Sequence, residues 1–266
     1  MSGGQDRVLA LIGPGRAGST VTQALVAIGW QVRAVAGRAV DAESVVAAAA
    51  RFQTRADTAG SAVTEVDLVV IAVPDRAIAG VVTAIAPAVA PSTLVVHLSG
   101  AMGLEVLAAL PCRVGSIHPL QTMPTGDAST AVLVGVGAAV AGDPAVADLA
   151  RAIGMVPFAV PDDERAGYHA AACLASNHLV ALLAQVDACT DVPLDAFLPL
   201  IRSTLVNVAE LGAAGALTGP VARGDAQTVR AHLAAIPAGE RPAYVALARR
   251  AAVLAGRDPD LDGALT

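Results

Sequence analysis

The spacing of apolar residues divides the chain into two regions of different character. Over residues 1–160, short apolar runs alternate with stretches that have the period of an amphipathic helix, which is typical of an α/β fold. The run Asp67-Leu-Val-Val-Ile-Ala-Val-Pro74 is uninterrupted and predicts a strand buried on both faces. This region is therefore predicted to be a doubly wound, mainly parallel sheet, with strands at 8–12, 31–36, 53–56, 67–74, 93–98, 113–118, 131–140 and 155–160 and helices at 17–28, 41–51, 75–89 and 144–153.

The pattern changes after Val160, where strand signals stop. The first long helical run is apolar nearly all round between Ala170 and Val186, so we expect it to be buried between helices or at a subunit interface. We predict two domains, a Rossmann domain over residues 1–160 and an all-helical domain over 161–266, ending in a loose polar tail at 257–266. The predicted helices of the second domain span 162–188, 194–211, 225–236 (with Asp225 as N-cap) and 240–255.

Composition excludes several classes of protein. The net charge of −6 argues against a nucleic-acid partner, which requires a basic footprint. The three cysteines are widely separated and form no C-x-x-C pair, which favours a reducing compartment and predicts neither a disulfide framework nor a metal site. The first residues lead into a strand without the apolar region of a signal peptide, and the uncharged stretch 77–98 is interrupted by prolines. We therefore expect a cytoplasmic protein with no membrane span.

A glycine-rich turn follows the first predicted strand and precedes a predicted helix, as nucleotide binding requires. Its residues are Gly13, Pro14, Gly15, Arg16, Ala17 and Gly18. The first glycine permits the tight turn, the second lets the backbone approach a pyrophosphate, and the third lets helix and strand pack closely. A glycine-rich turn that binds no nucleotide is the alternative.

The second predicted strand ends at Gly37-Arg38, where NAD-binding proteins carry an acidic residue. An arginine suits the 2′-phosphate of an NADP ribose. The sequence therefore predicts NADP(H) as the cofactor, with Arg38 binding the phosphate.

Several motifs give the chain a resemblance that extends over nearly its full length. The motifs are Gly13-Pro-Gly-Arg-Ala-Gly18, Ala72-Val-Pro-Asp75, Leu98-Ser-Gly100, His118-Pro-Leu-Gln121, Tyr168-His-Ala-Ala171, Ser176-Asn177 and Ala216-Leu-Thr-Gly-Pro-Val-Ala-Arg-Gly-Asp225. With these motifs the chain resembles the 6-phosphogluconate-dehydrogenase-like superfamily, which includes ketopantoate and pyrroline-5-carboxylate reductases. More closely, it resembles bacterial Rossmann-like proteins with a C-terminal domain of unknown function (DUF2520 type).

The resemblance implies an NADP-dependent oxidoreductase and places Val73 and Pro74 in the cofactor site. One departure is important. Related β-hydroxyacid dehydrogenases carry a lysine as general acid/base four residues before a helical asparagine; here Cys173 stands four residues before Asn177. Because all 17 basic residues are arginines, another group must supply the proton.

The candidate proton donors are two histidines. His118 follows a predicted strand at the edge where cofactors bind, and it would protonate the substrate or cap a loop. His169 and Asn177 lie eight residues apart on one predicted helix, where they would face the substrate or hydrogen-bond neighbouring helices. His97, within an apolar strand, is interpreted as a core histidine, and His178 and His232 as structural.

Three further residues are weaker candidates for ligand binding. Ser99 would contact the nicotinamide ribose or cap a turn. Gln121 is a candidate for substrate binding, as is Arg223, which could clamp a substrate carboxylate or lie on a surface loop.

Together these features predict an NADPH-dependent reductase of a small carboxylated ketone or imine, with a histidine as proton donor at a cleft where the domains meet. A non-catalytic NADP-sensing or partner-binding protein is the alternative. A homodimer through the C-terminal helices is expected, because large apolar surfaces are seldom left exposed.

Overall fold

The computed structural model describes residues 7–123 and 130–265. Its contacts divide the chain into two compact units, one ending at Cys173 and the other beginning at Leu174. The strands of the first unit are β1 (Arg7–Ile12), β2 (Trp30–Ala36), β3 (Arg55–Asp57), β4 (Leu68–Ile71), β5 (Leu94–His97), β6 (Arg113–Pro119), β7 (Gly137–Gly142) and β8 (Val156–Ala159). Its helices are α1 (Arg16–Ala27), α2 (Glu43–Arg51), α3 (Ala59–Ala62), α4 (Asp75–Ile85), α5 (Ala145–Ala152) and α6 (Arg165–Cys173).

The eight strands form one sheet in the order β3-β2-β1-β4-β5-β6-β7-β8. Neighbouring strands are parallel except β6 and β7, which pair antiparallel with Ile117 opposite Val140. Strand order reverses direction at β1, as in doubly wound nucleotide-binding folds. The predicted Rossmann fold with a mainly parallel sheet is therefore confirmed.

Alternate residues along the central strands supply two separate cores, because successive side chains point to opposite faces. Leu9, Leu11 and Val70 belong to one cluster, while Ala10 and Val69 belong to the other. All four residues of β4 and of β5 are buried. The continuous apolar run that predicted β4 is thus the consequence of a strand covered on both sides.

Two predictions near β6 and β7 are wrong in detail. The predicted strand at 131–140 begins with a 3₁₀ turn (Thr130–Leu133), and β7 starts only at Gly137, because Gly135 adopts a positive φ of 76° that a strand cannot continue through. The predicted strand at 113–118 ends one residue later, because pairing with β7 extends β6 through Pro119, opposite Ala138.

The second unit is helical. Its helices are α7 (Leu179–Ala188), α8 (Leu198–Ala216), α9 (Pro220–Arg223), α10 (Ala226–Ala235) and α11 (Arg241–Leu254), preceded by a π-helical turn at Leu174–His178. Asp225 is the N-cap of α10, as predicted, and accepts the Thr228 N–H at 3.0 Å. Gly212, with φ 71° and ψ 167°, interrupts α8.

Helices α7 and α8 are apolar and uncovered within the described chain. None of their residues is buried, and Val180 and Leu200 are 68% and 65% exposed. Two helical runs, 162–188 and 198–223, are long and apolar enough to cross a membrane by length and composition alone. Large apolar surfaces are seldom left exposed to water, so another surface is expected to pack against these helices.

The C-terminal segment is packed, so the prediction of a loose tail is wrong over its described residues. Leu261, Ala264 and Leu265 are buried in a cluster with Val229 and residues of α11. The Arg249 guanidinium donates to the Leu265 carbonyl at 2.8 Å. The apolar residues among the aspartates and glycines of this segment therefore complete a small core.

Candidate active site

The turn between β1 and α1 is built as a nucleotide site requires. Gly13 has a φ of +91°, and a β-carbon there would lie 2.7 Å from the Ala72 carbonyl. A β-carbon at Gly18 would lie 2.5 Å from the Gly13 oxygen, whereas one at Gly15 would meet nothing within 4 Å. The turn is thus closed around its first and third glycines and open at the second, where a pyrophosphate would approach.

The N-terminus of α1 is available to an anion. Its N-cap is Gly15, whose lack of a side chain leaves the first-turn N–H groups without a side-chain cap within the described residues. No acidic residue occupies the first turn. A cavity of about 330 Å³ adjoins this turn, lined by Pro14, Gly15, Arg16, Ser19, Thr20, Ser44, Ala47, Ala48 and Arg51. The dipole and the exposed N–H groups favour phosphate here.

At the end of β2, Val45 lies close to Gly37, so a side chain there would have to displace it. A β-carbon at Gly37 would lie 2.6 Å from Cγ2 of Val45. The next residue, Arg38, is exposed and has no ion-pair partner among the described residues. Its guanidinium is therefore available to a phosphate at the end of β2.

Two of the predicted catalytic residues, His118 and His169, are brought together over Gly100. Their ring centroids lie 5.8 Å apart at an interplanar angle of 76°. A β-carbon on Gly100 would lie 2.7 Å from Nδ1 of His169 and 2.8 Å from Nε2 of His118. His118 ends a parallel strand next to β5, so the pair lies at the carboxyl edge of the sheet, where ligands of doubly wound folds bind.

His118 also contacts Tyr168 of α6. The tyrosine hydroxyl lies 2.8 Å from Nδ1 of His118, and the rings meet edge to face at 5.6 Å. The Tyr168 ring also meets Phe158 of β8, with the ring centroids 5.9 Å apart. The imidazole is therefore held at one nitrogen by a tyrosine that is itself packed in place.

The surroundings of His118 oppose a positive charge on its ring. Burial, followed by His169 and Arg165, lowers the pKa of His118 to about 4. His97, at the end of β5, is fully buried, and burial and Arg165 lower its pKa to about 4 as well. The Nδ1 atom of His97 accepts the Ser99 N–H at 3.2 Å, in agreement with a core role. Both imidazoles are therefore neutral at pH 7.

Arg165 adds to the effect of burial on both histidines, and it is itself fully buried. Its Nε donates to Asp162 at 3.0 Å and its Nη2 to the Ser116 hydroxyl at 2.5 Å. Nη1 has no hydrogen-bond partner within the described residues. Burial raises the pKa of Tyr168, while the charge of Arg165 acts in the opposite direction. A buried guanidinium, paired with Asp162, thus lies close to the neutral rings of His97 and His118.

His169 also contacts Cys173. Its Nε2 lies 3.8 Å from Sγ of Cys173, one turn later on α6. Its Nδ1 is buried against Gly100 without a hydrogen-bond partner in the described residues of the chain.

The other predicted site residues have the following environments. Ser99 accepts the N–H groups of Ala101 and Met102 at 3.2 and 3.0 Å, which favours its turn-capping role. Val73 and Pro74 connect β4 to α4, with Val73 against Gly13. Gln121 is engaged in its own loop, where its side-chain oxygen accepts the Thr122 N–H at 2.9 Å.

Asn177 and Arg223 belong to the second unit. Asn177 accepts the Ser176 hydroxyl at 2.9 Å within the π-helical turn. This turn interrupts the regular α-helical spacing that related Asn177 to His169 in the sequence. Arg223 ends α9 and is exposed. Their roles stay predictions.

Sequence reasoning missed Tyr168, Arg165 and the demand for a glycine at position 100. The signal for Tyr168 was present, since it directly precedes His169 in a chain with only two tyrosines. No local pattern distinguishes Arg165 from an exposed helical arginine.

Two family models match the chain in succession. Residues 5–124 match the Rossmann-like domain, and residues 132–251 match the Domain of unknown function DUF2520. The chain therefore combines a Rossmann-like domain with a DUF2520 domain, as the sequence motifs indicated. Comparison with curated proteins gives no match.

Solved structures share the fold over almost the whole chain. BF3122 of Bacteroides fragilis, described as a candidate NADP oxidoreductase, has a TM-score of 0.79 at 24% identity over 93% of this chain and 98% of its own. TM1727 of Thermotoga maritima has a TM-score of 0.70 at 23% identity and likewise covers 93% of this chain and 98% of its own. A reductive aminase of Aspergillus terreus, in complex with NADPH4, cyclohexanone and allyl amine, has a TM-score of 0.66 at 16% identity over 98% and 100%. At these identities the likeness establishes the fold.

Proposed function

We propose that this protein is an NADP(H)-dependent oxidoreductase that reduces a small ketone or imine carrying a carboxylate. The observation that carries the proposal is that a nucleotide-type turn and a pair of histidines lie at the same edge of one parallel sheet. Ligands of doubly wound folds bind at this edge. The similar structures include a described NADP oxidoreductase and a reductive aminase, which supports this class of reaction.

The cofactor would be held by groups that fit its two charged moieties. The open backbone at Gly15 and the first turn of α1 suit the pyrophosphate, while Arg38 suits the 2′-phosphate. Val73, Pro74 and Ser99 follow the neighbouring strands β4 and β5 and would flank the nucleotide. Bound NADPH supplies a hydride, and the chain must supply the proton.

We assign the proton to His118, with His169 beside it, because both rings lie at the sheet edge and one nitrogen of His118 is already oriented by Tyr168. Gln121 is a candidate for binding the substrate. The described residues contain no group of His, Cys, Asp and Glu able to hold a metal ion, and the proposed mechanism requires none.

Cofactor choice is tested by Arg38→Asp. Replacing the cation by an anion at the 2′-phosphate should weaken NADPH binding about a hundredfold, since charge-assisted hydrogen bonds contribute about 1.5–3 kcal/mol and repulsion adds to the loss. NADH binding should change little. Both affinities are measured by titration of nicotinamide fluorescence, and an unchanged affinity for NADPH would contradict the assignment. Arg55→Asp on β3, which is also exposed and already paired with Asp57, serves as the charge-matched control.

The reaction is tested on a panel of 2-oxo acids and cyclic imines, by following loss of NADPH absorbance. Turnover should occur with at least one carboxylated member and fall strongly in His118→Ala. Full activity in both His118→Ala and His169→Ala would contradict the assignment of these histidines as proton donors.

A second candidate function is a non-catalytic NADP sensor, which the replacement of the related enzymes' lysine by Cys173 favours. NADPH binding without turnover on the whole panel would support the sensor over the reductase.

We further propose a cytoplasmic homodimer, in which a second copy covers the apolar faces of α7 and α8. Exposed leucines on α8 support this, since a membrane-free monomer would leave a large apolar patch in water. The three free cysteines agree with a reducing compartment.

A further inference from the structure

We propose that Tyr168 is a positioning residue that fixes the tautomer of His118 and replaces the proton that His118 gives to the substrate. This inference rests on the proposed reductase function. It goes beyond it by naming the route of the proton and a residue that the sequence analysis had not assigned.

The first step concerns which nitrogen of His118 carries the proton. A neutral imidazole has one N–H, and the Tyr168 hydroxyl lies 2.8 Å from Nδ1. Within the described residues Tyr168 has no other hydrogen-bond acceptor, so its O–H is expected to point to Nδ1. The His118 proton then resides on Nε2, the atom that faces Gly100. No described residue accepts a hydrogen bond from Nε2, which leaves it available to a ligand.

The second step concerns the charge that the site tolerates. His118 is surrounded by His169, His97 and the buried Arg165, with Asp75 as the main opposing charge. This setting disfavours an imidazolium, and the pKa of His118 near 4 agrees with it. A ring that stays neutral can release its Nε2 proton only if Nδ1 gains one at the same time. Tyr168 is placed to provide that proton.

Two protons move in the proposed step. Bound NADPH would supply a hydride to the substrate carbon, and the electrons of the C=O or C=N bond would move to the oxygen or nitrogen. That atom takes the Nε2 proton of His118 while Nδ1 takes the phenolic proton of Tyr168. The products are the alcohol or amine, NADP⁺, a His118 with its proton on Nδ1, and a phenolate.

The phenolate is the energetically unfavourable product of this step, and two features make its formation easier. Arg165, three residues earlier on α6, favours the charged form of Tyr168. Tyr168 and His118 are only partly buried, so water can reach the pair after turnover. Nε2 of His118 then takes a proton from water while Nδ1 returns its proton to the phenolate, which restores the starting state of both residues.

The structure provides a matched control pair in the second unit. Tyr244 lies 2.8 Å from Nδ1 of His232, and the rings meet edge to face at 6.0 Å and 88°. This is nearly the geometry of Tyr168 and His118, at a place to which no catalytic role is assigned. Tyr244→Phe should therefore alter the His232 tautomer and leave turnover unchanged.

The first experiment needs no substrate. Two-bond ¹H–¹⁵N spectra of ¹⁵N-labelled protein report which nitrogen of each histidine carries the proton, with His118 assigned by His118→Gln. At pH 7 the wild-type His118 should be protonated at Nε2, and Tyr168→Phe should populate both tautomers. A proton on Nδ1 in the wild type, or an unchanged tautomer in Tyr168→Phe, would overturn the proposal. This result stands even if no compound of the panel reacts, which would instead count against the proposed function.

The second experiment uses a reacting compound from the panel. Tyr168→Phe should lower kcat about a hundredfold, as expected for loss of a proton-transfer partner, with NADPH affinity unchanged. The dependence of rate on deuterium content should be curved in the wild type, where two protons move together, and linear in Tyr168→Phe. A linear dependence of the wild-type rate on deuterium content, or full activity in Tyr168→Phe, would contradict the proposed proton relay.

Discussion

At the carboxyl edge of the sheet, the charge of a single side chain affects the chemistry of its neighbours as much as its shape does. Arg165 is buried with some of its hydrogen-bonding capacity unused, and it lies near His97, His118 and Tyr168. Burial is the largest cause of the lowered histidine pKa values, and the charge of Arg165 adds to it while favouring deprotonation of the tyrosine. A residue that we assign to neither cofactor nor substrate thus contributes to the chemistry of the site.

Burial of His97 makes stability depend on pH. Because its folded pKa of about 4 lies below the ordinary value of 6.5, the unfolded chain binds a proton first as the pH falls. Stability is therefore full above pH 7 and declines between pH 6.5 and 4. The loss attributable to His97 from pH 7.5 to 4.5 is about 2–3 kcal/mol, measured by urea unfolding at both values.

The matched variants are His97→Gln and His178→Gln, the second at an exposed position. His97→Gln should reduce the pH dependence of stability and leave the part contributed by His118, whereas His178→Gln should keep the wild-type slope. An equal slope in all three proteins would show that His97 titrates normally.

The sequence predicted His118 as a site residue but did not predict its partner Tyr168, and the reason is physical. A polar residue directly after an apolar strand has a local signature, and parallel strands bring such residues to one edge. Tyr168 and Arg165 reach β6 across 50 and 49 residues of chain, and their roles depend on that packing. Nothing within a few positions of either residue encodes such a contact.

At the level of elements, periodicity predicted the sheet well where both faces are covered. Strands β4 and β5 are continuous apolar runs because they are buried on both sides. The prediction failed where glycines dominate, at β7, since an apolar run there begins with a 3₁₀ turn before the strand starts. It failed again at the C-terminal segment, where aspartates and glycines mask three apolar residues that pack as a group.

The packed C-terminal segment should contribute to stability. Leu265 is 2% exposed, so Leu265→Ala removes buried methyl groups and should lower the free energy of unfolding by about 2–4 kcal/mol. Leu254→Ala, at a leucine that is 37% exposed, is the matched control and should cost less than about 1 kcal/mol. Thermal or chemical unfolding measures both, and equal costs would mean that the segment is not docked in solution.

At the scale of the whole molecule, the proposed assembly explains the uncovered helices. If a second copy covers α8, light scattering should give twice the mass of one chain. The double variant Leu205→Glu with Val206→Glu, at positions 52% and 53% exposed, should shift the mass to that of one chain. Val134→Glu, at an exposed apolar residue of the first unit, should leave the mass unchanged. A wild-type monomer would contradict the assembly.

The pairing of α6 with β6 has a consequence for insertions and deletions. Arg165 and Tyr168 are three apart on a helix, and they meet Ser116 and His118, which are two apart on a strand. One inserted residue turns all later helical positions by about 100°, so after an insertion between Arg165 and Tyr168 the two contacts could not form together. The exposed residues 166 and 167 between them should therefore tolerate exchange of side chains far better than any change in the length of this stretch.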